Sequence, residues 1–258
     1  MNKFGVVAVH AAKEAGKILL KYREKGVKAR YKGVSNPVTI ADKTSEQKVI
    51  SIIRKNFPGH EILSEETHSS YTGCPTQDYL WIIDPLDGTV NYIHGLAAFN
   101  VSIGLFHGGR PLLGVIFSPL TNELFYAEKG KGAYCNGKKI RVSKISSLRK
   151  SLIVTGFPYS LRNKAVEIMN KLSRLLVRSE GIRRLGSAAL DMAYVASGVF
   201  EAFWEEGLHP WDVAAGIIIL QEAGGKVSDY KGGGDYVFGD SIVATNGKVH
   251  AAVLKQLK

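Results

Sequence analysis

Residues 81–89 of the chain read Trp-Ile-Ile-Asp-Pro-Leu-Asp-Gly-Thr. An apolar run there predicts a strand that delivers Asp84 to its end. Pro85 has no N–H to donate, so the strand is expected to stop at that point. Asp87 follows three residues later, and a tight turn can aim both carboxylates at one place. Gly88 lets backbone approach a ligand closely. The amides of Gly88 and Thr89 then open a helix, whose N-terminus favours a phosphate. Hard carboxylate oxygens beside an anion-binding turn are what Mg²⁺ and a phosphate ester require.

Taken alone, Asp84-Pro85-Leu86-Asp87-Gly88 also reads as a polar turn, since Asp, Pro and Gly favour turns for local reasons. Two other stretches add weight to the chemical reading. Ile62-Leu63-Ser64-Glu65-Glu66 places paired acids after an apolar run, and Pro210-Trp211-Asp212-Val213-Ala214-Ala215-Gly216 places one carboxylate at a helix start. The plain alternatives are a solvated loop for Glu65-Glu66 and a dipole-complementing charge for Asp212.

The elements that must position these acids follow from periodicity. Phe4, Ala8, Ala11, Ala15, Ile18 and Tyr22 recur in steps of three and four, the core face of an amphipathic helix. Residues 27–31 read as a short basic strand and 32–37 as a loop. A second helix is predicted over 41–57, with Val49, Ile50, Ile53 and Phe57 inward and Pro58-Gly59 as its stop. Strand signals follow at 79–83, 99–106, 112–117, 124–127 and 133–135. Asn136-Gly137 marks a type I′ hairpin. From residue 143 the pattern alternates: strands at 152–154, 182–185, 199–204 and 242–245, helices at 165–177, 187–196, 211–222 and 249–257. The expected fold is an α+β / α/β layered sandwich in the order α-β-α-β-α. An N-terminal lobe (1–142) carries an antiparallel sheet with two helices, and a mixed α/β C-terminal lobe (143–258) follows. The site is expected in the cleft between the lobes.

Composition narrows the function classes. The chain has 258 residues, of which 45% are hydrophobic and 22% charged, a globular balance that argues against disorder. No apolar run reaches the ~18–20 residues that cross a bilayer. Lys13, Glu14 and Lys17 interrupt the N-terminal segment, which argues against a signal peptide and for a cytoplasmic protein. Cys74 and Cys135 are expected as free thiols. The formal charge of +11 comes from basic residues scattered along the chain. A solvated basic surface that attracts anionic substrates is therefore preferred to nucleic-acid binding.

Val38-Thr39-Ile40-Ala41-Asp42, Ser64-Glu65-Glu66, Asp84-Pro85-Leu86-Asp87-Gly88-Thr89-Val90-Asn91-Tyr92, Gly186-Ser187-Ala188-Ala189 and Trp211-Asp212-Val213-Ala214-Ala215-Gly216 lie in this order along nearly the whole chain. With these motifs the chain resembles the inositol monophosphatase family. That family belongs to the lithium-sensitive, metal-dependent phosphatase superfamily, which includes archaeal and bacterial inositol monophosphatase/fructose-1,6-bisphosphatases. The resemblance implies two to three Mg²⁺ per site. Glu65, Asp84 and the Leu86 carbonyl would form one metal site, Asp84, Asp87 and Asp212 a second, and Glu65 with waters a weaker third. It implies direct attack by a metal-activated water with help from Glu65 and the Thr89/Asp42 pair, and phosphate held on the Gly88 and Thr89 amides. Substrate contacts carried over are Asp87, Gly186, Ser187, Ala188, Glu205 and Asp212. Glu206, next to Glu205, leaves the register open by one.

The chain departs from the family where a loop Asp is common, because it has Asn36 there, with Lys32 upstream. That change bears on the third metal's support. Arg183 and Arg184 precede the glycine turn: Arg184 could hold a second phosphate, and a solvated pair is the plain alternative. His94 and His209 are not taken as general bases, because histidines near such motifs more often pack. The expected activity is hydrolysis of myo-inositol monophosphate, with fructose-1,6-bisphosphate as a further substrate. The alternatives are a 3′(2′),5′-bisphosphate nucleotidase or a non-catalytic basic binding protein of the same fold. A homodimer, and no nucleic acid or membrane, complete the expectations.

Overall fold

The computed structural model describes residues 1–26, 30–31, 37–67, 78–158 and 164–258. Helix α1 (Lys3–Glu24) begins at Asn2, whose side chain accepts from the Gly5 amide at 2.8 Å. Its face of Ala8, Ala11, Ala12, Ala15 and Leu19 is fully buried. Strands β1 (Arg30–Tyr31) and β2 (Pro37–Val38) form a two-stranded antiparallel ribbon. Helix α2 (Ile40–Asn56) starts in a capping box made by Thr39 and Asp42.

The seven strands that follow pair in chain order: β3 (Glu61–Ser64), β4 (Tyr79–Asp87), β5 (Asn100–His107), β6 (Arg110–Ser118), β7 (Glu123–Glu128), β8 (Gly132–Cys135) and β9 (Lys138–Ile140). All neighbours are antiparallel except β3 and β4. Asn136 and Gly137 have φ of 47° and 78°, as a type I′ turn between β8 and β9 needs. A six-residue helix, α3 (Thr89–His94), joins β4 to β5. Helices α1 and α2 cover one face, packing Ala8, Leu19, Val49 and Ile53 against Trp81, Ile83, Val101 and Val115.

In the second half, β10 (Leu152–Thr155), α4 (Ala165–Leu176), β11 (Gly181–Arg183), α5 (Ala188–Ala196), β12 (Ala202–Glu206), α6 (Pro210–Glu222), β13 (Lys226–Ser228), β14 (Ser241–Thr245) and α7 (His250–Leu257) build a five-stranded mixed sheet with its helices. The sheet order is β11-β10-β12-β14-β13. Helices α5 and α6 lie between the two sheets. Helix α6 is apolar all round for that reason, with every residue from Val213 to Leu220 buried. One cluster joins Ile116 and Phe125 of the first sheet to Met192 and Ile218 of these helices and Phe203 of the second sheet. Helices α4 and α7 close the outer face over Ile153, Trp204 and Val243. The layers therefore run α-β-α-β-α.

The expectation that Pro85 ends its strand fails: β4 continues to Asp87. Asp84 faces Ser102 and Asp87 faces Asn100, so the Pro85-Leu86 stretch is a bulge carrying one extra residue. A bulge leaves a residue outside the ladder, so a proline there forfeits no ladder bond. Strands β9 and β13 had no sequence signal, being three residues each and partly charged. Cys135 is a free, half-buried thiol, and burial raises its pKa. Cys74, Lys32 and Asn36 lie outside the described residues. Among the described residues, no helix is long and apolar enough to cross a membrane.

Candidate active site

The β4 bulge fixes the geometry. Asp84 takes the Leu86 amide on Oδ1 at 2.9 Å, which curls the chain between the two acids. The Ser45 hydroxyl on α2 donates to the Pro85 carbonyl at 3.0 Å and clamps the bulge from behind. Asp87 Oδ2 accepts from Ser187 Oγ at 2.6 Å, Asn100 Nδ2 at 2.9 Å and the Ala189 amide at 2.9 Å. These three donors hold Oδ2 of a side chain that lines the cleft. Gly88 has φ of +87°, and a Cβ there would lie 2.6 Å from the Ala98 carbonyl oxygen. Only glycine permits both the turn and the close passage.

Asp212 arrives from the far side, in the first turn of α6, where its Oδ2 accepts from the His209 amide at 2.7 Å. The carboxylate oxygens of Asp84, Asp87 and Asp212 come within 4.8 Å of one another. Burial, then the charges of Glu65, Asp87 and Asp212, push the Asp84 carboxyl well above the usual carboxylate range. Burial, then Asp87, does the same to Asp212. Burial raises Asp87 against the opposing hydrogen bonds from Ser187, Asn100 and Ala189. Closely packed acids with hard oxygen donors offer a divalent cation the negative charge and the ligand atoms that it takes. The trio and the cleft-lining Leu86 fit such an ion.

Glu65, the residue after β3, lines the same cleft, with its amide donating to the Ile83 carbonyl at 3.3 Å. Its turn is tied to α2 by Glu46, which accepts from the Glu66 amide and the Thr67 hydroxyl. Thr89 Oγ1 lies 3.2 Å from Asp42 Oδ1 and 3.0 Å from the Leu86 carbonyl. Burial raises the Asp42 pKa to about 6, against the hydrogen bonds from Thr39 and with help from the charge of Glu66.

The opposite wall comes from the second half of the chain. Gly156, Phe157 and Pro158 follow β10, Arg184, Gly186 and Ser187 connect β11 to α5, whose first residue is Ala188, and Glu205 is the penultimate residue of β12, with Gly207 and Leu208 beyond it. Alternation along β12 turns the two adjacent acids to opposite sides. Glu205 faces the cleft, and Glu206 is turned away to Lys171 Nζ at 2.9 Å. Burial raises Glu205 to about 8, against the pull of Arg184. His209 stacks on Trp211 with ring centroids 4.7 Å apart, and His94 ends α3 in solvent.

The structure thus gathers Glu65, Asp84, Leu86, Asp87, Gly88, Thr89, Arg184, Gly186, Ser187, Ala188, Glu205 and Asp212 around one cleft, with Asp42 behind Thr89. Arg183 does not line it and hydrogen-bonds back to the Ile182 carbonyl. The sequence reading missed several supports. Asn100 holds Asp87. Asn91 donates to the Ala98 and Leu185 carbonyls, each at 2.7 Å, and so ties α3 to the Gly186 turn. Asn91 sits inside the long motif, which was its available signal. Gly156 had none.

Comparison with known proteins agrees with this geometry. The chain is 42% identical to Nus factor SuhB of Escherichia coli K12, over 98% of this chain and 94% of that one. It is 40% identical to the chloroplastic phosphatase IMPL1 of Arabidopsis thaliana, over 96% of this chain and 68% of that one. The structure of inositol monophosphatase from Anabaena sp. PCC 7120 superposes with a TM-score of 0.89 at 44% identity, covering 98% and 94% of the two chains. The sequence model of the inositol monophosphatase family matches residues 1–258, and the chain belongs to that family of phosphatases.

Proposed function

We propose that the chain is a Mg²⁺-dependent phosphomonoesterase acting on myo-inositol monophosphate, with fructose-1,6-bisphosphate as a further substrate. The observation that carries this reading is the trio of buried Asp84 and Asp87 with half-buried Asp212, within 4.8 Å, facing a second wall that bears Glu205 and Arg184. Glu65, Asp84 and the Leu86 carbonyl would hold one Mg²⁺, Asp84, Asp87 and Asp212 another, and Glu65 a weaker third. Bound Mg²⁺ supplies Lewis acidity for water activation and for the leaving oxygen. Above the Asp42 pKa of about 6, its carboxylate accepts a hydrogen bond from the Thr89 hydroxyl. The Thr89 oxygen is then an acceptor that orients an incoming water. The Gly88 and Thr89 amides hold phosphate oxygens, and Glu205, Gly186, Ser187 and Ala188 receive the polyol. Hydrolysis is by direct attack, with no covalent enzyme intermediate. The lobes at 1–142 and 143–258, a homodimer and a cytoplasmic setting belong to the same proposal.

A second reading draws on the relatives named as factors rather than enzymes and on the +11 charge: a basic binding protein that retains the fold. One experiment separates the two. Phosphate release is measured from inositol 1-phosphate, fructose-1,6-bisphosphate and adenosine 3′,5′-bisphosphate, with and without Mg²⁺, beside salt-dependent RNA binding. Mg²⁺-dependent release from the polyol phosphates supports the phosphatase. Preference for the adenosine bisphosphate makes it a nucleotidase. No release, with RNA binding that survives chelation, removes the phosphatase reading.

A further inference from the structure

Asp191 lies in the first turn of α5, fully buried, and neither carboxyl oxygen has a hydrogen-bond partner. The charged groups that act on it are Glu205 from β12, Asp87 from β4 and Arg184 ahead of α5, and Tyr194, one turn on, feels its charge in return. All but Tyr194 line the cleft. Asp191 is not part of the carboxylate trio. Among the described residues, only Asp84, Asp87 and Asp212 bring three such ligand atoms within 4.8 Å.

An ionised carboxylate with no partner and no water contact is among the costliest groups to bury. Two more acids lie nearby and the one arginine is exposed, so Asp191 keeps its proton. Burial, Glu205 and Asp87 all push it that way. An un-ionised acid is both a donor and an acceptor, and a buried one requires a partner for each role. Asp87 Oδ2 is already saturated by three donors. Glu205 is the remaining acid, and its carboxylate lies against Gly156, where a Cβ would sit 2.1 Å from Oε2. No direct hydrogen bond joins the two acids, and one ordered water between them would give each carboxyl a partner.

We propose that the buried, unpartnered carboxyl of Asp191 is joined through one ordered water to Glu205 and so fixes the carboxyl group that receives the leaving group's hydroxyls. Asp191 is then a positioning residue, and the inference rests on reading the cleft as that of a polyol phosphatase.

The test compares inositol 1-phosphate with phenyl phosphate, whose leaving group has no further hydroxyls. Asp191→Leu is expected to raise KM for inositol 1-phosphate about tenfold, the scale of one hydrogen bond. It is expected to leave kcat and the phenyl phosphate kinetics close to wild type. Asp191→Asn, which keeps a donor and an acceptor in the same shape, is expected to recover most of the loss. Equal losses on both substrates, an Asn variant as poor as Leu, or no change in KM each overturn the proposal. If the Leu variant does not fold, infrared difference spectra of wild type against Asp191→Asn at neutral pH decide. The carbonyl stretch of a protonated carboxylic acid must be present in wild type and lost in the variant, and its absence from wild type overturns the proposal. A wild-type protein inactive on both esters would sink the phosphatase reading itself. An active one indifferent to Asp191 sinks only this inference.

Discussion

The two walls of the cleft are built differently. On one, Asp84, Asp87, Gly88 and Thr89 come from six consecutive residues, and hydrogen bonds hold each acid: Leu86 on Asp84, and Ser187, Asn100 and Ala189 on Asp87. On the other, Gly156, the Arg184 and Gly186 loop, and Glu205 come from three separate segments, and Glu205 is placed by the close approach of Gly156. The first wall carries charge that must be held within a fraction of an ångström, as chemistry demands. The second surrounds the part of the substrate that does not react. Substitutions on the first are therefore expected to lower kcat, and substitutions on the second to raise KM and alter selectivity.

The largest effect is expected at Asp87. Asp87→Asn keeps an oxygen for the three donors but removes a charge from the trio. The kcat/KM for inositol 1-phosphate is expected to fall on the order of a thousandfold or more, with the fold unchanged by circular dichroism. The Mg²⁺-induced rise in Tm should shrink in parallel. Because the trio's carboxyls hold protons more tightly than free aspartates, Mg²⁺ binding must displace protons. The Tm rise should then weaken as pH falls, and a rise independent of pH would contradict this account.

Next comes Thr89→Ala, expected to cost about a hundredfold in kcat with little change in KM. Asp42 supplies the pH arm of this prediction. Its pKa of about 6 lies above the ordinary aspartate value, so the group protonates as pH drops through about 6 and stops accepting from Thr89. Wild-type kcat should fall on that acid side, and Asp42→Asn should flatten that limb at a lower plateau. A limb that survives in Asp42→Asn would assign it to another group.

The same contrast explains what the sequence made legible. Apolar periodicity set α1 and α2, and Asn136-Gly137 set a hairpin, because local rules decide those features. The acids of the first wall were readable because one short motif contains most of them. Pro85 misled, because a proline's missing N–H argues against a strand unless a bulge absorbs it, and a bulge is set by the pairing of Asp84 with Ser102 and Asp87 with Asn100. Gly156 and Asp191 carry no local signal at all. Their meaning comes from Glu205, 49 and 14 residues further along the chain, and only the second sheet brings them together.

Gly156→Ala tests the second wall with a smaller effect. A Cβ 2.1 Å from Glu205 Oε2 forces that carboxylate to move. KM for inositol 1-phosphate should rise about tenfold, as for one lost hydrogen bond. Phenyl phosphate should be turned over as by wild type. Equal damage to both substrates would mean that the two walls are not separable.

The smallest effect is expected from Arg184→Ala. Arg184 is exposed, and its guanidinium packs over the Gly186 turn, where a Cβ would meet Nη1 at 2.4 Å. It pulls down the Glu205 pKa, which burial has raised to about 8. Removing the arginine removes that pull, so Glu205 should titrate above about 8 and stay protonated over more of the neutral range. KM for inositol 1-phosphate at pH 7.5 should rise only a few-fold, because solvent and salt already screen an exposed charge. The pH at which KM improves should move upward relative to wild type, and 1 M salt should narrow the difference. A bisphosphate seated with its second phosphate on Arg184 would lose more than the monophosphate does. A variant that lost both substrates equally, with no shift of the KM profile along the pH axis, would make Arg184 a solvated side chain and leave Glu205 to act alone.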